Sequence, residues 1–177
     1  VSALFASFFI QIATNFINDA IDFEKGADTE TRTGPKRVTQ TGLLSRKQVM
    51  IGGFVCLAAA LALGIPLVIE GGWPIVAIGL ASLFLAYGYT GGPFPLAYLG
   101  LGDLFVVLFF GVIAVGGTYY LHTHEYNHYA FIAGLQVGFL ATVLIAINNL
   151  RDAPQDKLVG KKTLAVRFGE RFAKFEI

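Results

Sequence analysis

Between Gln48 and Asn149 this chain of 177 residues carries three charged side chains, Glu70, Asp103 and Glu125. The hydrocarbon core of a bilayer needs about 20 predominantly apolar residues per helix. Residues 48–69, 71–102, 104–124 and 126–150 each reach that length with no Asp, Glu, Lys or Arg inside. A fifth apolar stretch runs over about 1–17. The chain therefore reads as an integral membrane protein, in agreement with its 14% of charged residues, where a soluble domain carries roughly a quarter. The runs are apolar all round, as spans surrounded by lipid or by other helices should be. They lack the short alternating segments that a β-barrel requires. The expected fold class is all-α, a polytopic transmembrane helix bundle. It forms a single domain over residues 1–177, with about five spans and the start of a sixth.

The expected helices cover about 1–22, 46–69, 73–89, 102–121 and 127–150, with a Gly/Pro-rich connection around Gly91, Gly92, Pro93 and Pro95. The first begins without a Met or a basic leader region, so it reads as a helix cut partway rather than a signal peptide. Residues 168–177 read as the opening of another helix. Both ends suggest an internal piece of a longer protein lacking N- and C-terminal helices. Cys56, the single cysteine, sits in mid-span and can form no intrachain disulfide.

The remaining charges form two islands. Residues 19–47 hold eleven and residues 151–176 hold another eleven. Four crossings separate the islands, so both emerge on one face of the membrane, together with the connection after Tyr89. The opposite face receives only the turn at residues 70–73 and the loop containing His122, His124 and His128. All 13 Lys and Arg then lie on one side, which the positive-inside rule makes cytoplasmic. Trp73, Tyr119, Tyr120, Tyr126 and Tyr129 fall near the outer boundary and Tyr87, Tyr89 and Tyr98 near the inner one, as aromatic belts would. Among these, Tyr89 is the candidate for a site role.

The first island reads NFINDAIDFEKGADTETRTGPKRVTQTGLLS over residues 15–45. Asn15 precedes Asp19 by four and Asn18 precedes Asp22 by four, so amides and carboxylates stack on neighbouring ridges at a helix end. Gly26 is placed to end that helix, and Asp28 follows it. The second island, NNLRDAPQDKLVGKKTLAVRFG over residues 148–169, spaces Asn148, Asp152 and Asp156 by four again. Pro154 disfavours a helical Ala153, which predicts a break or restart between the two aspartates. Carboxylates near a helix C-terminus meet the negative end of the dipole and repel one another unless a cation neutralises them. Mg²⁺ takes such oxygens and completes its shell with water and substrate phosphates. Arg32, Lys36, Arg37, Arg151, Lys157, Lys161 and Lys162 supply cations for phosphate oxygens. The constellation suits a metal-bound diphosphate at a membrane surface. Solvated loops carrying charge for topology alone would not need the same amide–carboxylate spacing twice.

These residues resemble the UbiA superfamily of intramembrane prenyltransferases, whose signatures are NDxxDxxxD-like after one helix and DxxxD-like four spans later. Asn18, Asp19 and Asp22 match the first, and Asp152 with Asp156 matches the second. The last position of the first signature is Gly26, and the next acid is Asp28. The form NDxxDxxxGxDT followed by RxGPxR, carried by Asp28, Thr29, Arg32, Gly34, Pro35 and Arg37, is similar to the 1,4-dihydroxy-2-naphthoate polyprenyltransferase branch. YTGGPFPLAYLGLGDL over residues 89–104, and NNLRD with GKKTLAVRFG, resemble the same branch.

The resemblance implies a Mg²⁺-dependent enzyme that moves a polyprenyl group from polyprenyl diphosphate to dihydroxynaphthoate with loss of CO₂ and diphosphate, giving demethylmenaquinone. It implies Asp19, Asp22, Asp28, Asp152 and Asp156 as metal or metal-water ligands. Asn18 and Asn149 support them, and Arg37, Lys157 and Lys161 meet phosphate oxygens, with Arg32, Lys36 and Arg151 as further substrate-binding residues. The implied surroundings are a cell membrane and lipid bilayer, with no nucleic-acid partner. Asp103 has two readings, orienting or deprotonating the aromatic acceptor beside Tyr89 or capping the helix it nearly begins. Other acceptors (4-hydroxybenzoate, homogentisate, a chlorophyllide, a haem) stay open. So does a cation-coupled transporter, which should place acids near mid-membrane and on both faces.

Overall fold

A computed structural model describes residues 1–27 and 34–177, so the expectations on Asp28 and Arg32 fall outside the described residues. The described residues are helical, with no strand among them. Helix α1 is Ser2–Glu24, α2 is Arg46–Gly88, and α3 is the short Leu96–Leu99. The next span is built from α4 (Gly102–Val106), a π-helix (Val107–Ile113) and α5 (Ala114–Thr123). Then come α6 (His128–Leu158), α7 (Leu164–Phe168) and α8 (Glu170–Glu176). Among the described residues α1, α2, Gly102–Thr123 and α6 are long and apolar enough to cross a membrane.

Helix α2 holds both of the spans expected at 46–69 and 73–89. A straight helix of its 43 residues would extend about 65 Å. Yet Arg46, at its start, pairs with Glu24, and Thr90, just past its end, donates to Asn18. Both ends therefore meet the same end of α1, and α2 must double back. The reversal is at Gly72, whose φ of 62° and ψ of −149° lie in a region essentially reserved for glycine. A Cβ on the preceding Gly71 would come within 2.9 Å of Leu121, and Glu70 meets His124 at 3.2 Å, so the bend lies against the far end of α5. The entry to α2 is closed by a capping box in which Ser45 and Gln48 satisfy each other's amides.

Helix α6 departs from expectation. It runs unbroken through Pro154 to Leu158, so Asp152 and Asp156 belong to one helix rather than to either side of a break. Pro154 is exposed, and the turn beyond it is held by burial of Asp156 and a closed C-terminus. There Gly160 N–H donates to the Lys157 carbonyl at 3.3 Å and Lys161 N–H to the Asp156 carbonyl at 2.9 Å. This is a Schellman motif. Helix α1 ends the same way, with Gly26 N–H on Phe23 and Ala27 N–H on Asp22 at 2.9 Å. Asp22 and Asp156 thus occupy equivalent positions in the last turns of two helices. The further helix expected at 168–177 is α8, set off from α7 by Gly169.

The buried face of α6 is Gly134, Gly138, Thr142 and Ala146, repeating every four residues. Small residues matter because lipid removes the hydrophobic drive between helices and leaves close packing to hold them. A Cβ on Gly138 would lie 2.6 Å from the Val107 carbonyl, and one on Gly134 2.9 Å from the Val112 Cα. The π-helix and α6 therefore touch backbone to backbone. Overpacking such a contact costs roughly 1–3 kcal/mol, so Gly138→Val is expected to lower the unfolding temperature in detergent clearly. Gly64→Ala, where nothing lies within 4 Å, should leave it nearly unchanged.

Candidate active site

Ends of α1 and α6, the segment after α2 and the start of α4 converge on one cavity of about 130 Å³. Asn18 and Asp22 reach it from α1, Asn149, Asp152 and Asp156 from α6, and Asp103 from α4. Tyr89, Arg37 and Lys161 line it as well, and so do Thr90 and Thr163, which the sequence did not single out.

Lys161 joins the two acidic helices. Its ammonium donates to Asp22 Oδ2 at 3.0 Å and stands 3.8 Å from Asp156 Oδ1. The other oxygen of Asp22 accepts from the Tyr98 hydroxyl at 3.0 Å. Arg151 grips the neighbouring Asp152 through two bonds of 2.7 Å, so it is engaged with a carboxylate and is not among the cavity-lining residues. Asp19 is brought to the same end of the bundle, but both its oxygens serve residues 34–42 instead. Oδ2 accepts the Val38 amide at 3.2 Å, and Oδ1 accepts the Thr39 hydroxyl. Lys36 and Lys157 are exposed and do not line the cavity.

Asp103 is 7% exposed, and neither carboxylate oxygen has a hydrogen-bond partner among the described residues. No side-chain hydrogen bond caps α4, so the capping reading of Asp103 is not what the fold uses. Tyr89 stands over the start of that helix: a Cβ on Gly102 would come within 2.9 Å of the phenol oxygen. Burial first, and then the charges of Asp103, Asp22 and Asp156, push the Tyr89 phenol far above its ordinary range. It remains a proton donor at any physiological pH.

Tyr98 was expected to be an interfacial anchor and is a component of the site's support. Its carbonyl accepts the Lys162 amide at 3.1 Å, and Arg167 donates to the next carbonyl, Leu99, at 2.8 Å. A Cβ on Gly100 would overlap the Lys162 carbonyl, so the two loops touch where no side chain fits. Sequence alone assigns Tyr98 no role of its own within the 89–104 stretch, because its partners come from separate segments. The histidine loop lies at the opposite end, where His124 meets Glu70.

A helical membrane bundle with an acid- and lysine-lined cavity at one end is the class that this architecture defines. The chain belongs to the UbiA prenyltransferase family, which matches it over residues 1–176. It is 39% identical over 175 residues to a 1,4-dihydroxy-2-naphthoate octaprenyltransferase of Haemophilus influenzae, covering 96% of this chain and 57% of that protein. It is 31% identical to the enzyme of that description from Bacillus subtilis (98% of this chain, 56% of the relative) and 35% identical to that of Escherichia coli (95% and 56%). The chain thus spans a little over half the length of these curated relatives. No solved structure matches it.

Removing one member of a buried ion pair costs roughly 3–5 kcal/mol. Both pairs border the cavity, so Lys161→Met is expected to destabilise by about half of that. Adding Asp22→Asn to Lys161→Met should recover part of the loss, as thermal unfolding of the single and double variants will measure.

Proposed function

We propose that the protein transfers a polyprenyl group from polyprenyl diphosphate to 1,4-dihydroxy-2-naphthoate. The allylic carbon–oxygen bond breaks, a carbon–carbon bond forms at the ring carbon bearing the carboxylate, and that carboxylate leaves as CO₂. The product is demethylmenaquinone in its reduced form. The observation carrying this reading is the convergence of Asp22 with Asp152, Asp156 and Lys161 on one cavity. The choice of acceptor rests on the names of the relatives.

The charge of the cavity supports a diphosphate that arrives with cations. Asp22, Asp103, Asp152 and Asp156 face Arg37 and Lys161, so a bare polyanion would be repelled. No three Asp, Glu, His or Cys among the described residues gather tightly enough to cage an ion alone. That suits Mg²⁺, which takes one or two carboxylates and leaves the rest of its shell to water and phosphate. Asp22, Asp152 and Asp156 are the carboxylates that would serve, one or two to an ion, with Asn18 and Asn149 beside them. When bound, Mg²⁺ neutralises the charge that develops on departing diphosphate. Arg37 and Lys161 do the same from the protein side, with Lys157 and Lys36 nearby in sequence.

Asp19 keeps Arg37 in place by tethering Val38 and Thr39. Asp103, without a hydrogen-bond partner among the described residues, accepts a proton or hydrogen bond from an acceptor hydroxyl, while protonated Tyr89 donates to the acceptor. The surrounding apolar helices keep water from the allylic cation. The two islands carry all 13 Lys and Arg, and the positive-inside rule supports a cytoplasmic position for this end.

Asp22→Ala and Asp152→Ala in the full-length protein should each lower prenyl transfer to dihydroxynaphthoate at least about 100-fold, the scale of a lost group that stabilises departing charge. Unchanged turnover would sink the assignment. Labelled prenyl diphosphate offered with dihydroxynaphthoate, 4-hydroxybenzoate and homogentisate decides the acceptor.

A further inference from the structure

Two lysines, one from each acidic island, gather on a single aromatic ring. Lys25 Nζ lies 3.8 Å from the centroid of Tyr98 and Lys161 Nζ lies 5.1 Å from it. Both are within the range in which a ring face attracts an ammonium. Lys25 immediately precedes Gly26 at the end of α1, and Lys161 immediately follows Gly160 at the end of α6. The ring therefore collects the side chains that flank the two matching helix terminations. Tyr98 itself has little freedom. It sits in α3, held by Ala97 N–H on the Tyr89 carbonyl at 2.8 Å and by Lys162 N–H on its own carbonyl. Its hydroxyl is committed to Asp22, and Lys25 is further tied to the Thr90 carbonyl at 3.1 Å.

The geometry points to Tyr98 as a positioning residue of the site: its ring is the platform that holds Lys25 and Lys161 together, and its hydroxyl orients Asp22 between them. This deepens the diphosphate reading above and rests on it. The two ammonium charges repel each other, and the approach of a diphosphate relieves that repulsion. Burial lowers the Lys25 pKa, with Asp22 opposing and the Lys161 charge adding to the effect, as expected where like charges share a confined place. An ordinary interfacial tyrosine would need neither the lysines nor the carboxylate. Lys25 is thereby added to the side chains held around Asp22, at a position that the first signature leaves unspecified.

The test uses the full-length protein and inorganic pyrophosphate, with binding measured by calorimetry with and without Mg²⁺. Tyr98→Leu removes platform and hydroxyl, and pyrophosphate affinity should fall about tenfold, as loss of a desolvated cation–π contact predicts. Tyr98→Phe keeps the ring. Its metal-free affinity should stay within about twofold of wild type, while the Mg²⁺ concentration giving half-maximal enhancement rises several-fold because Asp22 loses its guide. In turnover, the KM for prenyl diphosphate should rise in Tyr98→Leu while that for the aromatic acceptor does not. If thermal unfolding shows that Tyr98→Leu has not folded, Lys25→Met takes its place and should show a comparable loss. Wild-type affinity in Tyr98→Leu, or in Lys25→Met, overturns the platform and leaves the proposed reaction standing. Pyrophosphate binding with the expected losses but no prenyl transfer to any acceptor overturns the reaction and leaves the platform standing. A wild-type protein that binds no pyrophosphate overturns both.

Discussion

One ammonium group standing between two carboxylates ties the ends of the chain's acidic helices together. Asp22 and Asp156 each sit in the last turn of a helix, where unpaired carbonyls already present partial negative charge. Both are buried. Brought together alone they would repel: two like charges about 4 Å apart interact by roughly 4 kcal/mol at the effective dielectric of a protein surface. Lys161, 139 residues from Asp22 in sequence, turns that repulsion into two attractions. Its own position follows from α6, because the Schellman closure at Gly160 hands the chain directly to Lys161. Arg151 on Asp152 and Tyr98 on Asp22 satisfy further oxygens, so the carboxylates are held without being cancelled.

The remainder of the bundle makes this meeting possible. Helix α2 reverses at Gly72, so the chain leaves α1 and returns to it at the same end, delivering Thr90 and Tyr89 to the cavity. The small-residue face of α6 against the π-helix draws the span beginning with α4 close enough that Asp103 shares the cavity with Asp152 and Asp156. The π-helix is flanked by α4, which carries Asp103, and such insertions often accompany functional positions. Helix α8 approaches from the other direction, and burial together with the Asp103 charge raises the Glu176 pKa.

Much of this was legible beforehand, and the reasons are physical. Spans appear in a sequence because lipid forbids charge over the length of a helix, and islands appear because charge must then collect at the ends. That reasoning located four of the cavity's acids, its amides and Lys161, and it anticipated the helix end at Gly26. It misjudged Pro154, because a proline near a helix terminus removes one hydrogen bond, which tertiary contacts around Asp156 outweigh. It left Tyr98, Thr90, Thr163 and Lys25 unassigned. Tyr98 looked like one more ring at a membrane boundary, and only the fold places Asp22 and two lysines around it. Nor could spacing distinguish Asp19 from Asp22. They are three residues apart, yet one turns to a loop amide and the other to the cavity.

Asp103 and Tyr89 give the cavity a feature that its ion-paired acids lack. Elsewhere in the site each acid has a partner, as Asp19 has Val38, Asp22 has Lys161, and Asp152 has Arg151. Asp103 has none among the described residues, although it is buried. A desolvated carboxylate without a partner lowers stability, so a fold that keeps one must gain elsewhere when something with a hydroxyl enters. Tyr89, beside it, is held protonated by burial first and then by the carboxylates that surround the cavity. An acceptor of hydrogen bonds and a donor thus line the same cavity as the Lys161 bridge, with Asp103 at the start of the α4 span. A diphosphate has no use for that acceptor, whereas an aromatic diol has a hydroxyl for it to accept and an oxygen for Tyr89 to bond. In the proposed reaction Arg37 and Lys161 would serve the diphosphate while Asp103 and Tyr89 serve the aromatic acceptor, within one cavity.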